Sequence, residues 1–367
     1  MKITVEPFAA EHAAAAQMFN ARMRAGQAPT AFLLPEHARP PLRSGRVTLT
    51  QHVAVDEQRE VRGGVLCLEH PALVRGRVEC VINIQSPLSE GIVDPAYTFV
   101  APQLLKHATR HTPYVYVVGM GSATHPLPRL LRAMGWTIRA VPFYFRMLRA
   151  SYCVRHLAPL RSTAIRRLAG AVAAASGAAA VGAAVMHRVS ASARRAAAGL
   201  EATPISRWTA AADGAWEAFG RHVTFGVLRT AATLPYFYSF DARSPRAWWI
   251  SRGGSIEGWF GLLIAPMTGN SYFGDLVVAT LTDCVGTPEA VRAGVLLAAD
   301  EAKASGADLL ITNQQHRLLA ESCRAAGWRA APSNFLTATS RALSEACDVE
   351  TTYVTRRDGD GLTHLGG

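Results

Sequence analysis

Apolar residues along this chain recur in two rhythms, and the order of those rhythms repeats. Ile3 to Val5 alternates as a strand does, and an apolar-periodic stretch from Glu11 to about Ala25 reads as a helix. A proline-rich loop at Pro35 to Pro41 follows. Three β-prone runs come next, at Val47 to Val55, Gly64 to Glu69 and Val78 to Gln85. The pattern then predicts a helix from Pro95 to about His107, the strand TPYVYVVGM, a short helix from Pro126 to Met134 stopped by Gly135, and a strand from Thr137 to Leu148.

The second half runs through the same order. Helical stretches lie at Thr209 to Gly220 and Thr224 to Thr233, and strands at Ala247 to Ser251, Gly258 to Ala265 and Ser271 to Thr282. A helix from Pro288 to about Ser305 has Thr287 as its N-cap and proline at its first position. A strand from Asp308 to Thr312, a helix from Arg317 to Ala326 stopped by Gly327, and a strand from Phe335 to Ser340 complete it. The two endings, LLRAMGWTIRAVPFYF and SCRAAGWRAAPSNFLTA, both read helix, Gly-Trp, strand. This implies a duplicated α/β unit, divided as residues 1–150, a linker at 151–205, residues 206–345, and a polar tail at 346–367.

The linker holds LAGAVAAASGAAAVGAAVM, Leu168 to Met186, a chargeless stretch nearly long enough to span a bilayer. Alanine and glycine gain little in lipid, so the composition favours a helix packed between the domains over an interfacial or membrane-embedded segment. A chain of 367 residues, 49% hydrophobic, has room for two cored domains. Its net charge of +11 comes from arginine; the only lysines are Lys2, Lys106 and Lys303. No zinc finger or RNA-motif aromatics accompany the charge, which argues against nucleic acid; an anionic cofactor or a membrane surface would serve the same charge. None of the six cysteines forms a C-x-x-C pair, and they read as reduced core residues. MKITVEPFAAEH lacks an apolar leader region, so the expected location is cytoplasmic.

Polar motifs cluster in the last third: NQQH at Asn313 to His316, PSNF at Pro332 to Phe335, and RRDGDG at Arg356 to Gly361. Loops leaving strand ends are where α/β units place their sites. Asp283, at the end of an apolar run, and His316 are the candidate proton acceptors. Asp275 lies eight residues before Asp283, on the same face of an undistorted strand; a bulge would break that parity. Asp358 and Asp360 lack the further ligands of a calcium loop, so no metal is expected. Cys284 reads as a core thiol.

The duplicated order resembles the GNAT N-acetyltransferase fold. The stretch GDLVVATLTDCVGTPEAV, then NQQH, PSNF and YVTRRDGDG, is similar to a bacterial group of tandem acetyltransferase-like proteins associated with polysaccharide or lipid metabolism. The resemblance implies two tandem domains of the α/β (α+β) class, each with a mixed, mostly antiparallel sheet. It implies acetyl-CoA or another acyl-CoA as cosubstrate, its diphosphate at Cys284, Val285, Gly286 and Thr287. Asp283 and His316 are then the expected catalytic pair. Asn313, Gln314, Ser333, Asn334, Arg357, Asp358 and Asp360 are the expected contacts to a small-molecule or sugar acceptor. Transfer would go to an amine or hydroxyl, a cell-surface sugar or lipid precursor being the class the resemblance points to. The phosphate loop departs from the family pattern. One glycine precedes the second-half helix, and QSPLSEG in the first half puts Glu90 where a diphosphate would lie. The first copy is therefore expected to be degenerate, and the alternative function is a catalytically inactive binding or scaffolding protein.

Overall fold

A computed structural model of the chain describes residues 2–28, 33–35, 41–157, 172–239 and 245–359. In the first half, β1 (Thr4–Pro7) leads to α1 (Ala13–Ala25). Next come β2 (Leu42–Ser44), β3 (Val47–Val55), β4 (Val61–Val74) and β5 (Arg77–Ser89). Then follow α2 (Val100–His111), β6 (Val115–Val118), α3 (Pro126–Ala133), β7 (Thr137–Ala140) and β8 (Phe143–Met147). The connecting region carries α4 (Ala150–His156), α5 (Ala178–Met186) and α6 (Ala191–Ala197).

The second half begins with β9 (Glu201–Pro204), α7 (Ala211–Gly220), β10 (Phe225–Val227) and α8 (Leu234–Phe237). It continues through β11 (Arg246–Arg252), β12 (Ser255–Pro266), β13 (Val277–Gly286) and α9 (Pro288–Ala304). It closes with β14 (Leu309–Asn313), α10 (Arg317–Ala325), β15 (Arg329–Ala331), β16 (Leu336–Thr339), α11 (Arg341–Ala346) and β17 (Thr352–Tyr353).

The strands form two mixed, mostly antiparallel sheets flanked by helices. The first runs β1-β3-β4-β5-β6-β16-β7 and the second β9-β11-β12-β13-β14-β8-β15, so the two orders correspond strand for strand. The correspondence holds because each half gives one strand away. β16 lies in the first sheet between β6 and β7, and β8 lies in the second between β14 and β15. The stretch expected as one strand from Thr137 to Leu148 is thus two strands in different sheets, separated at Val141-Pro142. Neither sheet is confined to residues 1–150 or 206–345. One apolar cluster follows from the exchange: Ala72, Val81 and Tyr116 of the first sheet bury against the same core as Phe260, Leu281 and Leu310 of the second.

The Gly-Trp pair closes equivalent turns. Gly135 and Gly327 both hold φ near +80°, which an L side chain resists. Behind them Trp136 and Trp328 are buried. At Gly327 a Cβ would also run into the His187 carbonyl.

Other expectations are corrected. Thr224 to Thr233 is not helical: Phe225 to Val227 is β10, paired with β4 on one side and β17 on the other. Ser271 to Phe273 belongs to a tight loop, and Asp275 accepts the Gly269 amide there. Cys80 is exposed rather than in the core. Helix α5 is not packed between domains, since Ala183 is its one buried residue. Residues 168–171 of that stretch, and Asp360 and Gly361, lie outside the described residues.

Because each half needs a strand from the other, separately expressed fragments 1–157 and 172–359 are expected to lack cooperative unfolding, and co-expression to restore it. A cooperative thermal transition in either fragment alone would overturn the exchange as a folding requirement.

Candidate functional site

Two parallel strands separate in each sheet. β13 pairs with β14 only from Val278 to Thr280, and β5 pairs with β6 only at Ile82 and Asn83. Beyond those pairs each first strand leaves its parallel neighbour and continues, paired only with β12 or β4, towards helix α9 or α2. A register shift sits on each departing strand, opposite Gly261 and Leu262 in one and Gly64 and Leu66 in the other. A bulge flips the side-chain alternation. It breaks the parity between Asp275 and Asp283 and turns Asp283 into the interior.

Asp283 is wholly buried, and both of its carboxylate oxygens accept hydrogen bonds. Arg229 Nε donates to its Oδ1 at 3.0 Å, Tyr353 to the same oxygen at 2.6 Å, and Tyr238 to Oδ2 at 2.6 Å. Arg229 Nη2 donates to Asp358 Oδ1 at 2.6 Å, and Asp358 Oδ2 accepts the Thr355 amide at 2.7 Å. The chain of contacts reaches the first sheet, where the Tyr116 hydroxyl donates to the Asp358 carbonyl at 3.2 Å and lies 2.9 Å from His70 Nε2. Burial raises the Asp283 pKa, opposed by Arg229. Burial alone would lower the Arg229 pKa, but Asp283 and Asp358 more than offset it and keep the guanidinium charged. Asp283 and Asp358 meet in this network through Arg229, enclosed from solvent.

The expected cofactor loop is already engaged. The Cys284 amide donates to the Tyr353 hydroxyl at 3.2 Å, and the Thr287 amide donates to Glu257 at 3.0 Å. Val285 and Gly286 pair with β12, where Gly286 and Gly258 approach so closely that a Cβ on either would strike the opposite backbone. Thr287 caps α9 by accepting the Ala290 amide. Burial pushes the Cys284 thiol up. Tyr353, carried by the C-terminal segment, therefore fills the opening between β13 and β14. In the first half Glu90 is held by Arg22 Nε at 2.7 Å and by Arg62 at 3.2 Å. The acidic residue thus completes a buried ion cluster.

NQQH divides. Asn313 Oδ1 accepts from Arg356 Nε at 2.7 Å, and its Nδ2 donates to Ser333 Oγ at 3.2 Å, so three of the polar motifs touch here. Gln314 is buried on Thr312. Asn334 is exposed. Arg357 stacks over Tyr238 at 5.3 Å, with burial lowering its pKa. His316 points the other way: its Nε2 lies 2.8 Å from the His222 carbonyl, its Nδ1 has no partner among the described residues, and burial lowers its pKa.

His316 lines an open groove of about 440 Å³ at the starts of α9 and α10. Arg221, Arg292 and Arg317 line it too, with His222, against two carboxylates, Glu321 and Glu350. The arginines hold exposed partners at 3.0 to 4.0 Å, pairs weak enough to exchange for a phosphate. Helix N-termini favour anions through their free amides and dipole.

Sequence reasoning missed Arg229, Tyr238 and Tyr353, although an arginine inside the apolar run FGVLRTAATL was a signal that something buried must neutralise it. It also missed Arg292, which lies one turn into the helix that Pro288 starts. A candidate metal cluster of Glu6, Glu11 and His12 is occupied by the Arg59 guanidinium, 2.7 Å from Glu6 and 3.2 Å from His12.

Replacing Arg229 by Met leaves two buried carboxylates uncompensated, and the expected cost is about 3–5 kcal/mol in denaturant unfolding, part of it recovered by adding Asp283→Asn. A loss under about 1 kcal/mol would refute the network's structural role. Burial also pushes His70 down to about 3. Below the ordinary histidine pKa of 6.5 the unfolded chain takes up a proton that folded His70 refuses. Stability is therefore expected to fall as the pH drops from there towards 3, and His70→Gln to flatten that part of the Tm profile.

No family model matches the chain, and no curated protein matches it. Among solved structures, it is similar to a conserved protein from Enterococcus faecalis described as a probable N-acyltransferase. The identity is 12%, over 92% of this chain and 72% of that one, with a TM-score of 0.48. A GCN5-related N-acetyltransferase from Anabaena variabilis matches at 10% identity, 92% and 72% coverage, and a TM-score of 0.49. Saccharomyces cerevisiae N-myristoyltransferase with bound myristoyl-CoA matches at 11% identity, 79% and 69% coverage, and a TM-score of 0.46.

Proposed function

We propose that this protein is a GNAT-type acyltransferase that takes an acyl-CoA and delivers the acyl group to an amine or hydroxyl acceptor. The reading is carried by one arrangement: parallel strands β13 and β14 separate and open towards a groove where two helix N-termini and three arginines meet. In this reading the groove, with Arg221, Arg292 and Arg317, holds the nucleotide phosphates. The loop at Cys284 to Thr287 supports α9 instead of wrapping the diphosphate. The pantetheine arm runs into the strand opening and displaces the Tyr353 hydroxyl from the Cys284 amide, which then polarises the thioester carbonyl. The acceptor attacks that carbon, the C–S bond breaks, the leaving thiolate takes the Tyr353 proton, and the acceptor's own proton passes to Tyr353 in its place. Burial raises the Tyr353 pKa, so its hydroxyl stays protonated and is the nearest proton source. His316 serves at the phosphate end. The first half is a platform, its equivalent loop closed by Glu90 and its arginines. The acceptor class is a sugar or lipid precursor.

A second reading has its own observation. Tyr353 already occupies the strand opening, and Asp283 is sealed behind it. On that reading the groove binds a phosphate-bearing ligand without turnover.

Calorimetry with acetyl-CoA and longer acyl-CoAs, alongside release of free thiol in the presence of amino sugars and amines, separates them. Binding is expected to weaken about tenfold or more in Arg292→Glu and Arg317→Glu. Thiol release is expected to fall in Tyr353→Phe while binding holds. Absence of any CoA binding ends the first reading, whereas binding with no thiol release across the panel selects the second.

A further inference from the structure

Helix α5, AAAVGAAVM, carries no polar side chain on any face, yet it lies at the surface. Val181 is 67% exposed and Val185 71%, with Met186 and the preceding Val172 also exposed. Four of the ten exposed large hydrophobic residues among those described fall between 172 and 186, so this is a patch and not scatter. A surface helix ordinarily turns polar residues outward, and one that is apolar all round is ordinarily buried. Something other than water belongs on it.

The surroundings say what. One end of α5 borders a groove of about 340 Å³ lined by Arg149, Arg155, Tyr152 and Ala180. The other end borders a groove of about 310 Å³ lined by Met186, Arg188, Arg324 and Arg329. No carboxylate lines either groove. Arg155, Arg188 and Arg329 are exposed, while Arg149 reaches the buried Asp308 at 2.9 Å. An apolar strip between two clusters of arginine fits acyl chains flanked by anionic headgroups. A second copy of the chain fits poorly, because a two-fold contact through α5 sets arginine groove near arginine groove. Nucleic acid would leave the valines against water.

We propose that α5 and its flanking arginines dock this protein on the surface of an anionic lipid bilayer. The helix lies in the interface plane. At nine residues it is about 14 Å long, and no helix among the described residues is long and apolar enough to cross a membrane. Docking is independent of the groove at α9 and α10, which uses other arginines.

Flotation with vesicles tests it. The full chain is expected to float with vesicles containing phosphatidylglycerol at about 0.1 M salt, to stay behind with pure phosphatidylcholine, and to be released at about 0.5 M salt. Val181→Asp with Val185→Asp, and separately Arg155→Glu with Arg188→Glu, are expected to lower the bound fraction about tenfold with Tm unchanged, as exposed positions allow. Equal binding to both vesicle types, no binding to either, or binding unchanged in the variants overturns the proposal. So does a concentration-dependent dimer in the native chain that Val181→Asp abolishes, which would give the patch to a second copy.

Discussion

One buried guanidinium holds this molecule together. Arg229 has no exposure and stands between two carboxylates that are equally enclosed, Asp283 at 3.0 Å and Asp358 at 2.6 Å. Removing any of these charges from water is costly, and the cost is repaid only when all three are in place with their remaining hydrogen-bond positions filled. Tyr238, Tyr353 and the Thr355 amide fill them. The arrangement is therefore close to all-or-none, and it fixes where the chain's last described turn must lie. Through the Asp358 carbonyl and Tyr116 it also reaches β6, so the same contacts that seat the C-terminal segment pin the first sheet to the second.

The exchange of β8 and β16 imposes the same constraint at the level of the backbone. Each sheet is continuous only because the other half supplies a strand, and the apolar cluster that results crosses both halves. Duplicated units with private cores can move apart as rigid bodies, whereas units that trade strands share one stability. The two halves are in that sense a single cooperative object, and the buried ion network sits where they meet.

That construction separates two kinds of polar site. The network around Arg229 is sealed and satisfied, and its groups are committed to each other. The groove at the starts of α9 and α10 is open, its arginines are held by exposed partners that exchange readily, and the buried His316 forms part of its wall. Only the second stands open to solvent. Tyr353 belongs to the first, its hydroxyl touching both Asp283 and the Cys284 amide.

Local pattern was enough to place most elements. Thr287 and Pro288 mark the start of α9, Gly135 and Gly327 mark equivalent helix ends, and the order of strands and helices repeats because each is set by nearest-neighbour periodicity and caps. What failed were readings that needed distant partners. Nothing near Phe225 says that it will pair with Val74 and Thr352, so a strand was read as a helix. Nothing in Thr137 to Leu148 says that Pro142 divides it between two sheets. Some residues of the polar motifs come together: Asn313, Ser333 and Arg356 meet, and Asp283 and Asp358 meet through Arg229. Yet whether such residues face a ligand or one another depends on burial, and burial is a property of the packed whole. Asp283 reads the same in the sequence whether it is a base in a cleft or an anion locked to Arg229. Only the folding of residues 229, 238 and 353 around it decided that it is the latter, because a buried carboxylate must take its partners from wherever the chain brings them.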